Sequence, residues 1–414
     1  MLIEVQDLLW LLLPLAAASG WYAAYRDQRK RPSSKAGGLS QDYFRGINYL
    51  LNEQPDKAIE LFTQMLEVST ETVETHLALG SLFRRRGEVE RAIRIHQNLI
   101  ARPTLDQAQR AQALCELAQD YHKAGLLDRA ESLFLELAEI PEHAEQALGS
   151  LMHIYEQEKD WDKAITAGRR LAPAAGQGLD SVIAQYHCEL GERALHAGDH
   201  VLARSCAADA LTIDPRCVRA NLLGGRVAEN CGQDREAIAI WQKIEQQDAA
   251  LLDEVIDDMV TAFRRLHEEP QLLTYLRGLA RRQPGIRSLL VLAELIGARD
   301  GDSAAQVFMA ECLRQMPSVP GLKRLIDLQV AQGTPERRLT LSLVKNIIDL
   351  LAAQQEGYQC RQCGFRGQAL HWQCPACHEW ITMQPASGTN VPFTPSGNKI
   401  PSRAAMSFTA GNRT

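Results

Sequence analysis

Gly80 to Ile100 reads GSLFRRRGEVERAIRIHQNLI. A small residue, Gly80, is followed by an aromatic, Phe83, then by Gly87, then by Ala92. Each type has a physical task if the stretch is two helices joined at Gly87. Small side chains at Gly80 and Ala92 let the two helices approach closely, and Phe83 fills the space beside them. Gly87 sits where a helix ends and the left-handed conformation is cheapest.

The same pattern recurs along the chain. Aligned on the alanine, it gives Ala58, Ala92, Ala130, Ala164, Ala203 and Ala237, with three of the steps 34 residues long. The intervening steps of 38 and 39 need only a few residues added to a turn. The small position is Gly46, Gly80, Ala118, Met152, Gly191 and Gly225, and the turn glycine is Gly87, Gly125, Gly198 or Gly232. This is the tetratricopeptide (TPR) pattern of stacked helical hairpins. Beyond residue 250 it weakens. Leu272 with Pro284, Ala305 with Pro317, and a helical pair over 321–355 suggest further units, giving eight or nine across 39–355. The predicted fold class is all-α, a TPR superhelix.

Such arrays bind peptides or proteins along the face made by the first helix of each pair. In this alignment that face includes Ser81, Arg84, Arg85, Gln119, His122 and Lys123. Arg84, Arg85, His122 and Lys123 are the candidate partner-binding residues. The run Arg84–Arg85–Arg86 has two readings: a basic last turn that complements the helix dipole, or a clamp for an acidic partner segment.

Tyr358 to Trp380 reads YQCRQCGFRGQALHWQCPACHEW. Cys360, Cys363, Cys374 and Cys377 form C-x2-C-x10-C-x2-C. Two residues between thiols suit a knuckle, and two knuckles close a tetrahedral four-sulfur site for one metal ion. Zinc is favoured; iron takes the same ligand set. A thiol–disulfide enzyme would need neither two matched pairs nor this setting, because no βαβ pattern surrounds them. His371 and His378 are not required as ligands. A tab over 357–383 is too small for its own core, so metal binding supplies most of its folding free energy, on the order of 10 kcal/mol. Tyr358, Phe365, Trp372 and Trp380 exceed what that core needs, and some are expected to pack on the helical array.

Leu8 to Tyr25 carries no charge over eighteen residues, about enough to cross a ~30 Å hydrocarbon core. Glu4 and Asp7 precede it, while Arg26, Arg29, Lys30, Arg31 and Lys35 follow, opposed only by Asp27. A cleaved signal peptide carries its positive charge on the other side. The expectation is a transmembrane anchor at 1–25 with its N-terminus on the outer side and everything after it cytoplasmic. A basic linker over 26–38 adds attraction to anionic lipid. Residues 384–414, rich in Ser, Thr, Gly, Asn and Pro, read as a disordered tail.

The chain is 45% hydrophobic and 23% charged with a net charge of -6, too balanced to point to nucleic acid. It holds no phosphate loop, dinucleotide fingerprint, zinc-protease or nucleophile-elbow motif. A scaffold is therefore expected rather than an enzyme.

LLLPLAAASGWY, SQDYFRGINYLLNEQPDKAIELF, GSLFRRRGEVERAIRIHQNLI, CRQCGF and HWQCPACHEW together resemble the lipopolysaccharide assembly protein B family. The resemblance covers roughly residues 1–383, and the tail departs from it. It implies an inner-membrane, single-pass protein with a rubredoxin-like tab packed on a cytoplasmic TPR array. It also implies a role in regulating lipopolysaccharide synthesis, as an adaptor presenting the lipid A-committing deacetylase to a membrane AAA+ zinc protease. A further implied partner is an inner-membrane lipopolysaccharide sensor, contacted through the anchor. The alternative is a scaffold that organises biosynthetic enzymes without proteolysis. The resemblance carries Cys360, Cys363, Cys374 and Cys377 over as tab ligands, and allows a homodimer.

Overall fold

The computed structural model describes residues 41–52, 54–68, 73–175, 178–282, 285–332, 334–353 and 357–386. The expected anchor, basic linker and tail from 387 onward lie outside these residues. Among the described residues, no helix is long and apolar enough to cross a membrane. The chain divides into two compact units, residues 1–133 and 134–414.

The first unit opens with α1 (Gln41–Leu51) and α2 (Pro55–Val68), then α3 (Val73–Arg85) and α4 (Val89–Ile100). It continues with α5 (Gln107–Lys123) and the start of α6 (Leu127–Leu137). Asp106 begins α5 with a capping box: the Gln109 N–H donates to the Asp106 carboxylate at 2.7 Å, and the Asp106 N–H donates to the Gln109 side chain. Two of the helix's unpaired donors are thereby satisfied.

The second unit contains α7 (Pro141–Glu158), α8 (Trp161–Ala175), α9 (Leu179–His196), α10 (His200–Ile213), α11 (Val218–Asn230) and α12 (Asp234–Trp241). A short α13 (Ile244–Gln247) and a 3-10 turn over Ala249–Glu254 follow. Then come α14 (Ile256–Arg265), α15 (Glu269–Ala280), α16 (Ile286–Asp300), α17 (Asp302–Gln315), α18 (Val319–Gln332) and α19 (Pro335–Ala353). Counted over both units, the described residues hold nine helical pairs, the upper figure expected.

The pattern does the work its chemistry suggested. All six aligned alanines are fully buried. A Cβ on Gly80 would lie 2.3 Å from His96 Nε2, and one on Gly225 would lie 2.0 Å from Trp241 Nε1. In these pairs the glycine of the first helix is thus the floor on which one large side chain of the second helix rests. In the fourth pair the sizes are exchanged. Met152 occupies the small position and Gly168 faces it, with Met152 Cε 3.5 Å from where a Gly168 Cβ would stand.

The turn glycines have φ between 72° and 87°. At the same point of the fourth pair Lys159 adopts φ 57°, and in the seventh pair His267 adopts φ 56°. The hairpin closure demands the left-handed conformation even where no glycine supplies it. The pattern faded after residue 250 because the first helix of the seventh pair is broken into the 3-10 turn and a short α14. Leu251, Leu252 and Val255 are buried across that break, and Leu272 takes the alanine's place, fully buried.

The tab is a three-stranded antiparallel sheet, β1 (Tyr358–Cys360), β2 (Arg366–Gly367) and β3 (Met383–Pro385), in the order β2-β1-β3. Pairing continues past residue 383: Tyr358 faces Pro385, and the Ala386 N–H donates to the Gly357 carbonyl at 2.8 Å.

Candidate metal centre and its seat on the array

The two knuckles fold alike. Gly364 N–H donates back to the Cys360 carbonyl at 3.0 Å, and His378 N–H to the Cys374 carbonyl at 2.9 Å. Gly364 and His378 both have positive φ, 78° and 58°. His378 is therefore the turn residue of the second knuckle. Each turn brings its two thiols to one side, and β1 with β3 sets the two turns face to face.

The four sulfurs lie within 4.8 Å of one another. Cys360 Sγ is 3.8 Å from Cys377 Sγ, and Cys363 Sγ is 3.7 Å from Cys374 Sγ. A tetrahedron with metal–sulfur bonds of about 2.3 Å has edges of about 3.8 Å, so the four thiols fit one ion. Cys360 and Cys374 are buried, Cys363 is exposed and Cys377 intermediate. Burial pushes the Cys360 thiol up, but the Thr382 hydroxyl at 3.2 Å and the backbone N–H groups of Cys363 and Gln362 outweigh it. The net effect holds Cys360 down, at about 6. It offers a thiolate at neutral pH, the form a metal needs.

Three tab aromatics reach helices of the second unit. The Trp380 indole N–H donates to Glu156 Oε1 at 3.0 Å, and the Tyr186 hydroxyl donates to the same oxygen. His153 Nδ1 lies 3.3 Å from the other oxygen. Trp161 and Tyr186 stack at 5.7 Å, and Trp380 stands edge-on to both, at 6.1 and 5.7 Å. Edge-to-face aromatic contacts of this kind add about 0.5–1.5 kcal/mol beyond burial.

Trp372 lies under the Arg219 guanidinium at 5.6 Å. Arg219 is buried, and Glu189 and Glu192 hold it at 2.8 and 2.6 Å. Tyr358 donates its hydroxyl to Glu254. Burial and that carboxylate hold the Tyr358 phenol well above its usual range. Leu370 packs with Trp372 on the apolar core of the later pairs. Phe365 stays within the tab.

The candidate partner-binding residues fare differently from one another. Arg84 is committed within the first unit: its guanidinium meets Asp120 at 2.7 Å, Glu116 at 2.6 Å and the Gln119 side chain at 2.8 Å. Burial opposes its charge, but the two carboxylates outweigh this and raise its pKa. The second oxygen of Asp120 meets His96 Nδ1 at 2.6 Å, with both side chains fully buried. Arg85 and Lys123 are exposed and His122 half-buried. Sequence reading missed Glu156, Glu254 and Arg219, because no signal inside a single repeat marks a residue whose partner lies in the tab.

Two family descriptions match the chain: "Rubredoxin metal binding domain" over residues 358–385 and "Tetratricopeptide repeat" over residues 75–111. Lipopolysaccharide assembly protein B of Escherichia coli strain K12 is 35% identical over 383 residues, 92% of this chain and 98% of that protein. The protein of the same name from Haemophilus influenzae Rd is 35% identical over 391 residues, again 92% of this chain and 98% of that one. Among solved structures, the C-terminal part of a TPR repeat-containing protein from Cytophaga hutchinsonii matches at 12% identity with a TM-score of 0.37. It covers 68% of this chain and 99% of that one. Relatives matched over nearly their whole length, together with hairpins and a four-sulfur tab in the expected order, show that this chain belongs to the lipopolysaccharide assembly protein B family.

Proposed function

We propose that this chain is an inner-membrane adaptor that regulates lipopolysaccharide synthesis by holding proteins rather than by transforming a substrate. Its clients are the lipid A-committing deacetylase and the membrane AAA+ zinc protease. The segment 8–25 anchors it with the N-terminus periplasmic, and contacts the protease and an inner-membrane lipopolysaccharide sensor. The array and tab work on the cytoplasmic side.

The observation that supports this best is the use made of the chemistry-bearing side chains. Arg84, His96, Asp120, Glu156 and Arg219 are all spent on packing one element against another. The surfaces left for work are helix faces, which suit protein partners. Cys360, Cys363, Cys374 and Cys377 hold one ion, with zinc favoured over iron. That ion supplies a closed structural cross-link. The tab's own residues then dock: Trp380 on Glu156, Trp372 on Arg219 and Tyr358 on Glu254.

The test is the deacetylase half-life in cells. Replacing the chain by one that starts at residue 26 should preserve deacetylase binding and lengthen that half-life several-fold. An unchanged half-life in these cells and in fully depleted cells would instead favour the non-proteolytic scaffold, which should co-purify with several biosynthetic enzymes.

A further inference from the structure

Six cysteines lie outside the tab. Two of them touch: Cys188 on α9 and Cys217, both buried, have their sulfurs 3.9 Å apart. A disulfide is about 2.05 Å long, so an approach of about 2 Å would bond them. Cys217 is the N-cap residue of α11, the end of a helix whose N–H groups and dipole favour an anion. The Gln185 side-chain N–H donates to its sulfur at 3.5 Å. The Cys188 thiol, the Ala220 N–H and Arg219 hold Cys217 below the usual thiol range, against burial and Asp214. Cys188 is pushed the other way by its contact with Cys217 and by burial. Burial also pushes up the thiols of Cys115, Cys206 and Cys312. The touching pair is therefore unequal, with a ready nucleophile beside a protonated neighbour.

We propose that Cys217 and Cys188 are a peroxide-responsive dithiol site, in which Cys217 attacks the oxidant and Cys188 resolves the product. Burial selects the oxidant. Cys217 is 3% exposed, behind the exposed residues Pro215 and Arg216, so it admits a molecule little larger than water. Hydrogen peroxide is of that size. The Cys217 thiolate attacks one peroxide oxygen: an S–O bond forms, the O–O bond breaks, and hydroxide leaves to take up the proton that Cys217 had released. The Cys188 sulfur then attacks the sulfenic sulfur of Cys217. The S–S bond forms, the S–O bond breaks, and the departing hydroxide leaves as water with the Cys188 proton. Two thiols lose two electrons, and one peroxide becomes two waters. On the cytoplasmic side proposed above, the pair rests as thiols until peroxide rises. The bond ties the first helices of the fifth and sixth pairs together beside the tab's seat. Gln185, which donates to Cys217, also accepts from Arg219 at 3.4 Å, and Glu189, next to Cys188, holds the same guanidinium over Trp372.

The test exposes the metal-loaded full chain, in mild detergent, to hydrogen peroxide, then quenches in acid and alkylates under denaturing conditions before peptide mapping. A peptide pair joined through Cys188 and Cys217 should form ahead of oxidation at the exposed Cys231. The joined chain should melt at a higher temperature, and dithiothreitol should reverse both changes. In Cys188→Ser, Cys217 should accumulate as a sulfenic acid that dimedone traps. In Cys217→Ser, Cys188 should react on the order of 10-fold more slowly than Cys217 does in the wild-type chain. Circular dichroism shows whether each variant folds, and the wild-type mapping stands without them. The proposal is overturned by a folded wild-type chain that yields no joined pair, by a pair that forms only in urea, or by dimedone on Cys188 in place of Cys217.

Discussion

Trp380 donates its indole N–H to the Glu156 carboxylate at 3.0 Å, joining residues 224 positions apart. One oxygen of Glu156 serves both this indole and the Tyr186 hydroxyl, in a setting where Trp380 and Tyr186 are both buried. Removing the carboxylate strands two buried donors, each costing about 1–3 kcal/mol. Glu156→Ala should therefore destabilise the second unit by about 2–4 kcal/mol in urea titration. Glu156→Gln, which keeps an acceptor of the same shape, should lose less than half of that. Equal losses would mean that shape, not the shared acceptor, holds the tab.

Metal removal should unfold the tab. Cys360→Ser is expected to lose the ion, seen by metal analysis, and to redden the emission of Trp372 and Trp380 as they enter water. A variant that kept a full equivalent of metal would contradict the four-sulfur site.

Acid should have the same effect. In the metal-free tab Cys360 is held at about 6 against an ordinary 9. Its contribution to stability is complete above the ordinary value and is lost as the pH falls toward the folded one. Protons also compete with metal for every thiolate. Occupancy measured after dialysis should fall as the pH drops through 6. A pH-independent occupancy between 8 and 5 would be the contrary result.

Arg84 and Arg85 are neighbours in the chain with opposite fates. Arg84→Ala leaves Asp120 fully buried without its cation, and Glu116 nearly so. Breaking such a pair costs about 3 kcal/mol or more. Arg85 is exposed, and Arg85→Ala should change stability by no more than about 0.5 kcal/mol. If either arginine clamps an acidic client, Arg85→Ala is the clean test in a binding assay, because Arg84→Ala disturbs the fold itself.

Glycines at the close-approach position should not tolerate a methyl group. Gly225→Ala drives a Cβ into the Trp241 ring, at 2.0 Å from Nε1, and should cost about 1–3 kcal/mol. Gly149, on α7 with open space at its Cβ, is the control. Gly149→Ala should stabilise the protein by about 0.5–1 kcal/mol. Melting temperatures moving in the same direction would sink the packing argument.

The hairpins were legible in the sequence because their determinants are local and repeated: Ala92 beside Gly80, Ala58 beside Gly46 34 residues earlier, and Gly87, Gly125, Gly198 and Gly232 at turns. The knuckles were legible because metal chemistry demands a fixed spacing. Compensations were not. Met152 at a small position looks like a mismatch until Gly168 is seen opposite it. Lys159 and His267 look like lost turns, yet both accept the left-handed backbone that glycine takes elsewhere. Arg84 could be read either as a dipole-complementing last turn or as a clamp for a partner, because its acidic partners stand on the next first helix, more than thirty residues away. The array's hold on the tab was the least legible feature. Glu156 and Arg219 are ordinary charged letters within their own repeats, and only the fold brings them to Trp380 and Trp372.

The metal tab and the helices beneath it are expected to behave as one cooperative body joined through Trp380 and Glu156. Hydrogen exchange on the intact chain, with metal bound and after chelation, tests it most directly. Stripping the metal should deprotect amides in α7, α8 and α9 around Glu156, Trp161 and Tyr186 together with those of β1 and β3. Loss of protection confined to the tab, with those three helices unchanged, would contradict it.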